Sequence, residues 1–258
     1  MAGRKDLLEA IEDRAGRGED IAVVRTLNPG SNRTVTVTVC HGEVFPPLSD
    51  RRLADQVLAA VESLSLRRGV ADLVEVLDEQ GSPVTLAIEI IKPKLELLIF
   101  GAGHVGQAVA LIGALTGYDV TVVDDREEFA SRKRLPDPRI GLLVSDYASA
   151  TQKLTISSST VVVIVTRGHQ YDELCLKNVI RSKASYIGMI GSRRRVLSVF
   201  KKLADEGFPE EDLQRVHAPI GLRIGARSPQ EIAVSILAEI IDHVNNPDRG
   251  DKGERNGI

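Results

Sequence analysis

Gly101-Ala102-Gly103-His104-Val105-Gly106 stands directly behind the apolar run Leu95–Phe100 and opens a stretch in which Val105, Ala108, Val109, Ile112 and Leu115 recur at helical spacing. A glycine triplet alone is a weak signal, but a triplet joining a strand to a helix restricts the fold. The first glycine permits the tight turn, the second lets backbone approach a pyrophosphate, and the third allows the helix to pack closely on the sheet. A phosphate then sits at the helix N-terminus, where unpaired N–H groups and the helix dipole favour negative charge. The acid that receives a ribose is expected at the end of the second strand, about 20 residues further on. Asp124 ends the run Tyr118–Val123, and Asp125 and Arg126 follow it.

The chain around this junction keeps the same rhythm. Leu95–Phe100, Asp119–Val123 and Thr160–Val165 are apolar without alternation, as strands covered on both faces are. Gly141–Val144 and Ser185–Met189 are weaker strand candidates, and helical patterns lie between them. Ser228-Pro229-Gln230-Glu231 combines an N-cap serine, a proline at the first helical position and a glutamate at the third. Ile232, Ala233, Ile236, Leu237, Ile240, Ile241 and Val244 then form a broad apolar stripe. These features predict a Rossmann-like, doubly wound parallel sheet over residues 94–246.

Before residue 93 the texture differs. Leu7, Leu8 and Ile11 give a helical stripe, Ile21–Arg25 reads as a short strand, and Asn28–Asn32 is a turn cluster. Thr34–Val39 alternates threonine with valine. Ser49 is placed to cap a helix carrying Leu53, Val57, Val61 and Leu64, and two further strands follow at Leu73–Leu77 and Val84–Ile91. Residues 1–93 are therefore expected to form a small α+β domain, with Lys92-Pro93-Lys94 as a hinge. The polar, glycine-rich residues 247–258 predict a disordered tail.

Composition excludes several classes. Of the 258 residues, 43% are hydrophobic and 27% charged, an ordinary globular balance. Lys plus Arg is 33 against 36 acidic residues, a net −3 that gives no footprint for nucleic acid or anionic membranes. No apolar run approaches the ~20 residues of a spanning helix, and the start lacks a signal-peptide core, so a cytoplasmic protein is the expectation. Cys40 and Cys175 are too few for a zinc cluster or a disulfide framework.

Further candidates follow the later strands. Thr166, Gly168 and His169 lie just past Val161–Val165, at the sheet edge where doubly wound folds bind ligands. His169 is either a general acid/base or a loop histidine satisfied by backbone; His104 either faces the phosphate region or is merely exposed. At the next junction, Gly191 permits a close turn, Ser192 can cap, and Arg193, Arg194 and Arg195 enter the first turn of a helix. Cations are unfavourable there, and a bound anion would offset that cost. The proposed cofactor-binding set is thus Gly101, Gly103, His104, Val105, Gly106, Asp124, Asp125, Arg126, Thr166, Gly168, His169, Gly191, Ser192 and Arg193. An acid at the strand end favours NAD, while Arg126 leaves NADP open. No nucleophile elbow and no pair of histidines at metal-ligand spacing is present.

The runs FGAGHVG, VVDDR, TRGHQYDE, YIGMIGSRRR and HAPIGLRIGARSPQEIAVSILAEI, in this order from Leu95 to Val244, resemble the C-terminal domain of the XdhC/CoxI family. These proteins are accessory, or maturation, factors of xanthine dehydrogenase and carbon monoxide dehydrogenase. The resemblance implies a Rossmann-like domain that binds molybdenum cofactor (molybdopterin), supports its sulfuration with a sulfurase, and helps insert it into a molybdenum hydroxylase client. It implies no turnover of its own, and by analogy a homodimer. DIAVVRTLNPGS resembles the family's opening strand through Arg25, Thr26 and Ser31. The family's GGGCxE segment is absent: the corresponding HGEVFPPLSDRRLADQ has neither the glycine cluster nor the cysteine, and Cys40 lies too early to take its place. Two other readings stand beside this one. One is an NAD(P)-dependent oxidoreductase with chemistry near His169 and His217, and the other a nucleotide-sensing regulator responding through the hinge near Pro93.

Overall fold

The computed structural model describes residues 9, 11, 21–27, 35–40, 42–64, 71–91 and 94–246. The expected N-terminal helix, the Asn28–Asn32 turn, the Lys92-Pro93 hinge and the 247–258 tail lie outside the described residues. The chain divides into two compact units, one within residues 1–93 and one over Lys94–Val244.

The first unit is an antiparallel sheet in the order β3-β2-β1-β5-β4. Its strands are β1 (Ile21–Leu27), β2 (Thr36–Cys40), β3 (Glu43–Phe45), β4 (Ala71–Leu77) and β5 (Pro83–Ile91). Alternation decides which face is apolar. Ala22, Val24, Val37, Val39, Val84, Leu86, Ile88 and Ile90 meet Leu53, Val57, Ala60, Val61 and Leu64 of helix α1 (Arg51–Leu64). The cap of α1 is Asp50 rather than Ser49: its carboxylate accepts the Leu53 N–H at 2.7 Å and, with its other oxygen, the Glu79 N–H at 3.1 Å. Glu79 in return accepts the Arg51 N–H, so the β4–β5 turn and the helix start satisfy each other's orphan donors.

The second unit is a six-stranded parallel sheet in the order β11-β10-β9-β6-β7-β8. The strands are β6 (Glu96–Phe100), β7 (Asp119–Asp124), β8 (Gly141–Val144), β9 (Thr160–Ile164), β10 (Tyr186–Met189) and β11 (Val216–His217). Counted from β6, this is the doubly wound dinucleotide-binding order, and its switch point lies between β6 and β9. Helices α2 (His104–Leu115), α3 (Tyr147–Lys153), α4 (His169–Val179), α5 (Arg193–Asp205), α6 (Glu210–Gln214) and α7 (Pro229–Asn245) complete the unit. One face of the sheet packs on α2 and α7 and the other on α3, α4 and α5. In α7 the capping box forms as expected, with the Ser228 hydroxyl accepting the Glu231 N–H and Glu231 accepting the Ser228 N–H.

Three expectations are corrected. Ala108 and Val109 of the expected stripe are buried, but Leu115 is 78% exposed, because the rest of the buried face of α2 is small: Gly106, Ala110, Gly113 and Ala114. A Cβ on Gly113 would stand 2.4 Å from Leu97 Cδ2, so helix and sheet approach too closely for a leucine stripe. Ile241 is likewise exposed on α7. Between β7 and β8 there is no helix among residues 125–140. Pro136 and Pro138 interrupt that segment, and turns bring Ala130, Leu135 and Ile140 into the core.

Candidate functional site

The glycine loop is preformed by contacts within the protein. Gly101 has φ +112°, donates its N–H to Val123 O, and would place a Cβ 2.5 Å from Val165 O. At Gly106 a Cβ would meet Gly101 O at 1.8 Å, so α2 can touch the turn only without a side chain there. Gly103 is different: nothing lies within 4 Å of where its Cβ would be. That glycine keeps space open in front of the helix. Gly103 caps α2 without a side-chain hydrogen bond, and the first turn holds no acid, so the N-terminal N–H groups face the opening uncompensated. His104 is exposed on the first turn, and Val105 packs partly into the core.

The two acids after β7 share Arg126, whose Nε lies 2.8 Å from Asp124 Oδ1 and 3.8 Å from Asp125 Oδ1, but differ in burial and in their other partners. Asp124 is fully buried and accepts four hydrogen bonds: Ala102 N–H at 2.7 Å, Arg126 N–H at 3.0 Å, Arg126 Nε at 2.8 Å and Arg126 Nη2 at 3.0 Å. A carboxylate has about four lone-pair sites, and here the protein uses them all. Burial alone would raise the Asp124 pKa, but Arg126 and the two backbone donors outweigh it and hold the carboxyl below its usual range. Arg126 is thereby fixed, with its guanidinium carbon 3.6 Å from the centroid of Phe129. The acid left partly exposed is Asp125. It accepts two hydrogen bonds from Arg167, one from Nη1 at 3.0 Å and one from Nη2 at 2.8 Å, and Arg167 also donates to the Tyr171 hydroxyl at 2.8 Å.

Past β9, the buried carboxylate of Asp172 on α4 accepts both the N–H and the hydroxyl of Thr166. Gly168 caps α4 and His169 begins it; the His169 side chain lies outside the described residues. Asp172 also receives Arg195 from α5. This is the anion that the arginine-rich helix start called for, and it is supplied by the chain itself. Ser192 caps α5 by accepting the Arg195 N–H at 3.3 Å, whereas Arg193 and Arg194 are exposed. The structure therefore brings the Gly101–Gly106, Asp124–Arg126 and Thr166–Gly168 groups to adjacent strand ends. Gly191, Ser192 and Arg193 stand one strand further out, and it is Arg195 from that helix start that links to Thr166 through Asp172.

The remaining sequence candidates are structural. His217 lies on β11, stacked on Tyr186 at 4.3 Å and with Nδ1 3.4 Å from Glu239. Glu239 also accepts the Tyr186 hydroxyl and the Gly221 N–H, tying α7 to the preceding loop. Burial raises its pKa less than these partners lower it. Cys175 is fully buried, and burial pushes its thiol well up, so it holds no thiolate. Among the described residues no group of three His, Cys, Asp or Glu side chains could hold a metal.

Residues 97–240 match the model of the XdhC Rossmann domain, more than half of the chain. The chain belongs to the XdhC family. Within the family, it is 31% identical over 216 residues to the uncharacterized protein YqeB of Escherichia coli K12, covering 81% of this chain and 39% of that protein. It is 31% identical to a probable xanthine dehydrogenase subunit of Bacillus subtilis 168, over 60% of this chain and 44% of that relative. The molybdenum cofactor insertion chaperone PaoD of Escherichia coli K12 is 26% identical, over 90% of this chain and 68% of the chaperone. The chain thus spans well under half the length of the first two relatives. A crystal structure described as a xanthine dehydrogenase from Bacillus halodurans superposes with a TM-score of 0.70 at 22% identity, over 96% of this chain and 69% of that one, a likeness of fold.

In this XdhC-family chain, sequence reasoning passed over Arg167, Tyr171, Tyr147 and Asp172 as site residues. Arg167 had a signal, since it is the one long cation in the Thr166–His169 strand-end motif. Tyr147 had none: only the fold brings α3 beside the end of β7.

Proposed function

We propose that the chain is a maturation factor for a molybdenum hydroxylase of the xanthine dehydrogenase type, holding a phosphate-bearing ligand at the glycine loop. The observation that carries this reading is the open space at Gly103, which caps α2 without a side-chain hydrogen bond. A phosphate fits that position, with N–H groups and the helix dipole as its partners. The names of the PaoD chaperone and the Bacillus subtilis relative favour molybdenum cofactor, with a pyranopterin phosphate, over a nicotinamide nucleotide. When bound, that cofactor supplies the molybdenum centre of the client enzyme. The chain's own residues hold the phosphate, position the ligand between the β7 and β9 loops, and release it. Cys175 is buried and protonated, and Cys40 is buried too, so sulfuration is assigned to a separate sulfurase rather than to a thiol of this chain.

Among the described residues the cleft lacks a pair of groups suited to hydride chemistry, since His217 is engaged by Tyr186 and Glu239 away from the switch point. The test is an inventory of what co-purifies. The chain is expressed in a host that makes molybdenum cofactor, denatured, and its small molecules identified by mass spectrometry and pterin fluorescence. Stoichiometric pterin in the wild type and none in a folded Gly103→Trp variant is the expected result. A nicotinamide nucleotide without pterin would replace this reading with the oxidoreductase or the nucleotide sensor.

A further inference from the structure

The ion pair between Asp125 and Arg167 joins the loops on either side of the glycine turn. Asp125 follows β7 and Arg167 follows β9, and these strands flank β6 on either side, so the pair spans the C-terminal end of the strand that carries the glycine loop. A Cβ on Gly101 would stand 2.5 Å from Val165 O, so the root of the Arg167 loop lies close against the glycine turn. Both side chains keep partial solvent access, 24% for Asp125 and 35% for Arg167, so neither is locked in the core. Arg167 is held by a carboxylate that offers nothing a ligand phosphate could not offer as well. A guanidinium pairs with phosphate in the same two-pronged geometry it uses for carboxylate.

A second observation shows where the displaced carboxylate would go. Tyr147 is 1% exposed, and its hydroxyl has no hydrogen-bond partner among the described residues. Buried hydroxyls are nearly always paired, so an unpaired one beside a candidate site is a position to which a further acceptor can come. Burial, and then the charges of Asp124 and Asp125, hold this hydroxyl protonated, which keeps it a donor beside those acids. Asp124 has no acceptor site left, whereas Asp125 would have one as soon as Arg167 turned away.

We propose that Arg167 is the anion-binding side chain of this cleft, held by Asp125 until a ligand phosphate replaces that carboxylate, and that Tyr147 receives Asp125 on release. The ligand class is a phosphate ester or pyrophosphate, and the inference rests on the glycine loop holding a phosphate as proposed above. It differs in sign from the usual expectation for an acid at this position. An acid that binds a ribose contributes affinity, whereas one that masks an arginine subtracts from it.

The experiment is calorimetric titration of ADP into the full chain after removal of co-purified ligand. Asp125→Ala is expected to tighten binding at least about fivefold, the lower end of ordinary coupling between sites. Arg167→Ala is expected to weaken binding about tenfold, as loss of a charge-assisted hydrogen bond does, and the double variant should match Arg167→Ala. Tyr147→Phe should weaken binding in the wild-type background and have no effect on top of Asp125→Ala. Asp125→Asn, which keeps the shape, is the second variant should the alanine change disturb folding, and it should tighten binding to a lesser degree. If Gly103→Trp abolishes ADP binding but Asp125→Ala weakens it or leaves it unchanged, the latch is overturned while the glycine-loop site stands. ADP binding that survives Gly103→Trp, or none in any of these proteins, overturns the site and the latch together.

Discussion

Asp124 and Tyr147 are both buried beside the cleft, and their hydrogen-bond states are opposite. The Asp124 carboxylate holds the Ala102 N–H and both arms of Arg126, so removing it strands a buried donor and a half-buried cation together. Each buried unmet donor costs about 1–3 kcal/mol, and an ion pair broken on one side costs more when it is buried. Asp124→Ala should therefore destabilise the protein by about 2–4 kcal/mol, read as a lowered urea midpoint at unchanged slope. Tyr147→Phe removes a hydroxyl that pairs with nothing among the described residues, and it should leave stability unchanged or raise it by up to about 1 kcal/mol. A Tyr147→Phe protein that is more stable without ligand and weaker with ADP would show one hydroxyl serving the bound state at the expense of the free one.

At the scale of elements, α4 and α5 are joined through Asp172 and Arg195, and the same carboxylate fixes the β9–α4 turn at Thr166. Arg195→Ala leaves a fully buried carboxylate without its cation, which costs about 3–5 kcal/mol in comparable pairs. Asp172→Asn combined with Arg195→Met should recover part of that loss, because a pair replaced on both sides strands no charge. Denaturant unfolding of the single and double variants checks both statements.

Much of this level could be read from the sequence. The strand–glycine–helix junction, the parallel strands, the capping box of α7 and the Ser192 cap of α5 all rest on local chemistry, and local chemistry is written in neighbouring residues. The failures were non-local. Apart from Val109, the buried residues of α2 are glycine and alanine, whose small apolar weight hides them from a hydrophobic stripe while their size is what lets the helix approach Leu97. Asp172 serves as the anion for Arg195 across 23 positions, and Tyr147 feels the charges of Asp124 and Asp125 only because the fold brings α3 beside the end of β7. Nothing in the order of residues announces either meeting.

At the scale of the whole molecule, each unit has a hydrophobic core of its own: among the described residues, one cluster is built from residues between Ala22 and Ile90 and two from residues between Leu97 and Val244. A unit with its own core and a complete doubly wound sheet is expected to fold alone, so residues 94–246 expressed by themselves should unfold in one cooperative step.

That fragment should also carry a defined acid limit. Asp124 and Glu239 hold folded pKa values below their ordinary 3.8 and 4.5, and Asp146 and Glu231, accepting hydrogen bonds at helix starts, shift the same way. For a depressed carboxylate the unfolded chain binds more protons as the solution turns acidic. Its stabilising contribution is then complete above the unfolded value and lost as pH falls through the folded one. The urea midpoint should stay level from neutral pH down to about pH 5.5 and fall steeply below about pH 4.5. Glu239→Gln should lower the neutral-pH midpoint and flatten the acid slope, because the amide keeps the volume but not the charge facing His217. A midpoint that rises on acidification, or an acid slope unchanged in Glu239→Gln, would show that the charge on Glu239 does not help hold α7 and its loop to the sheet.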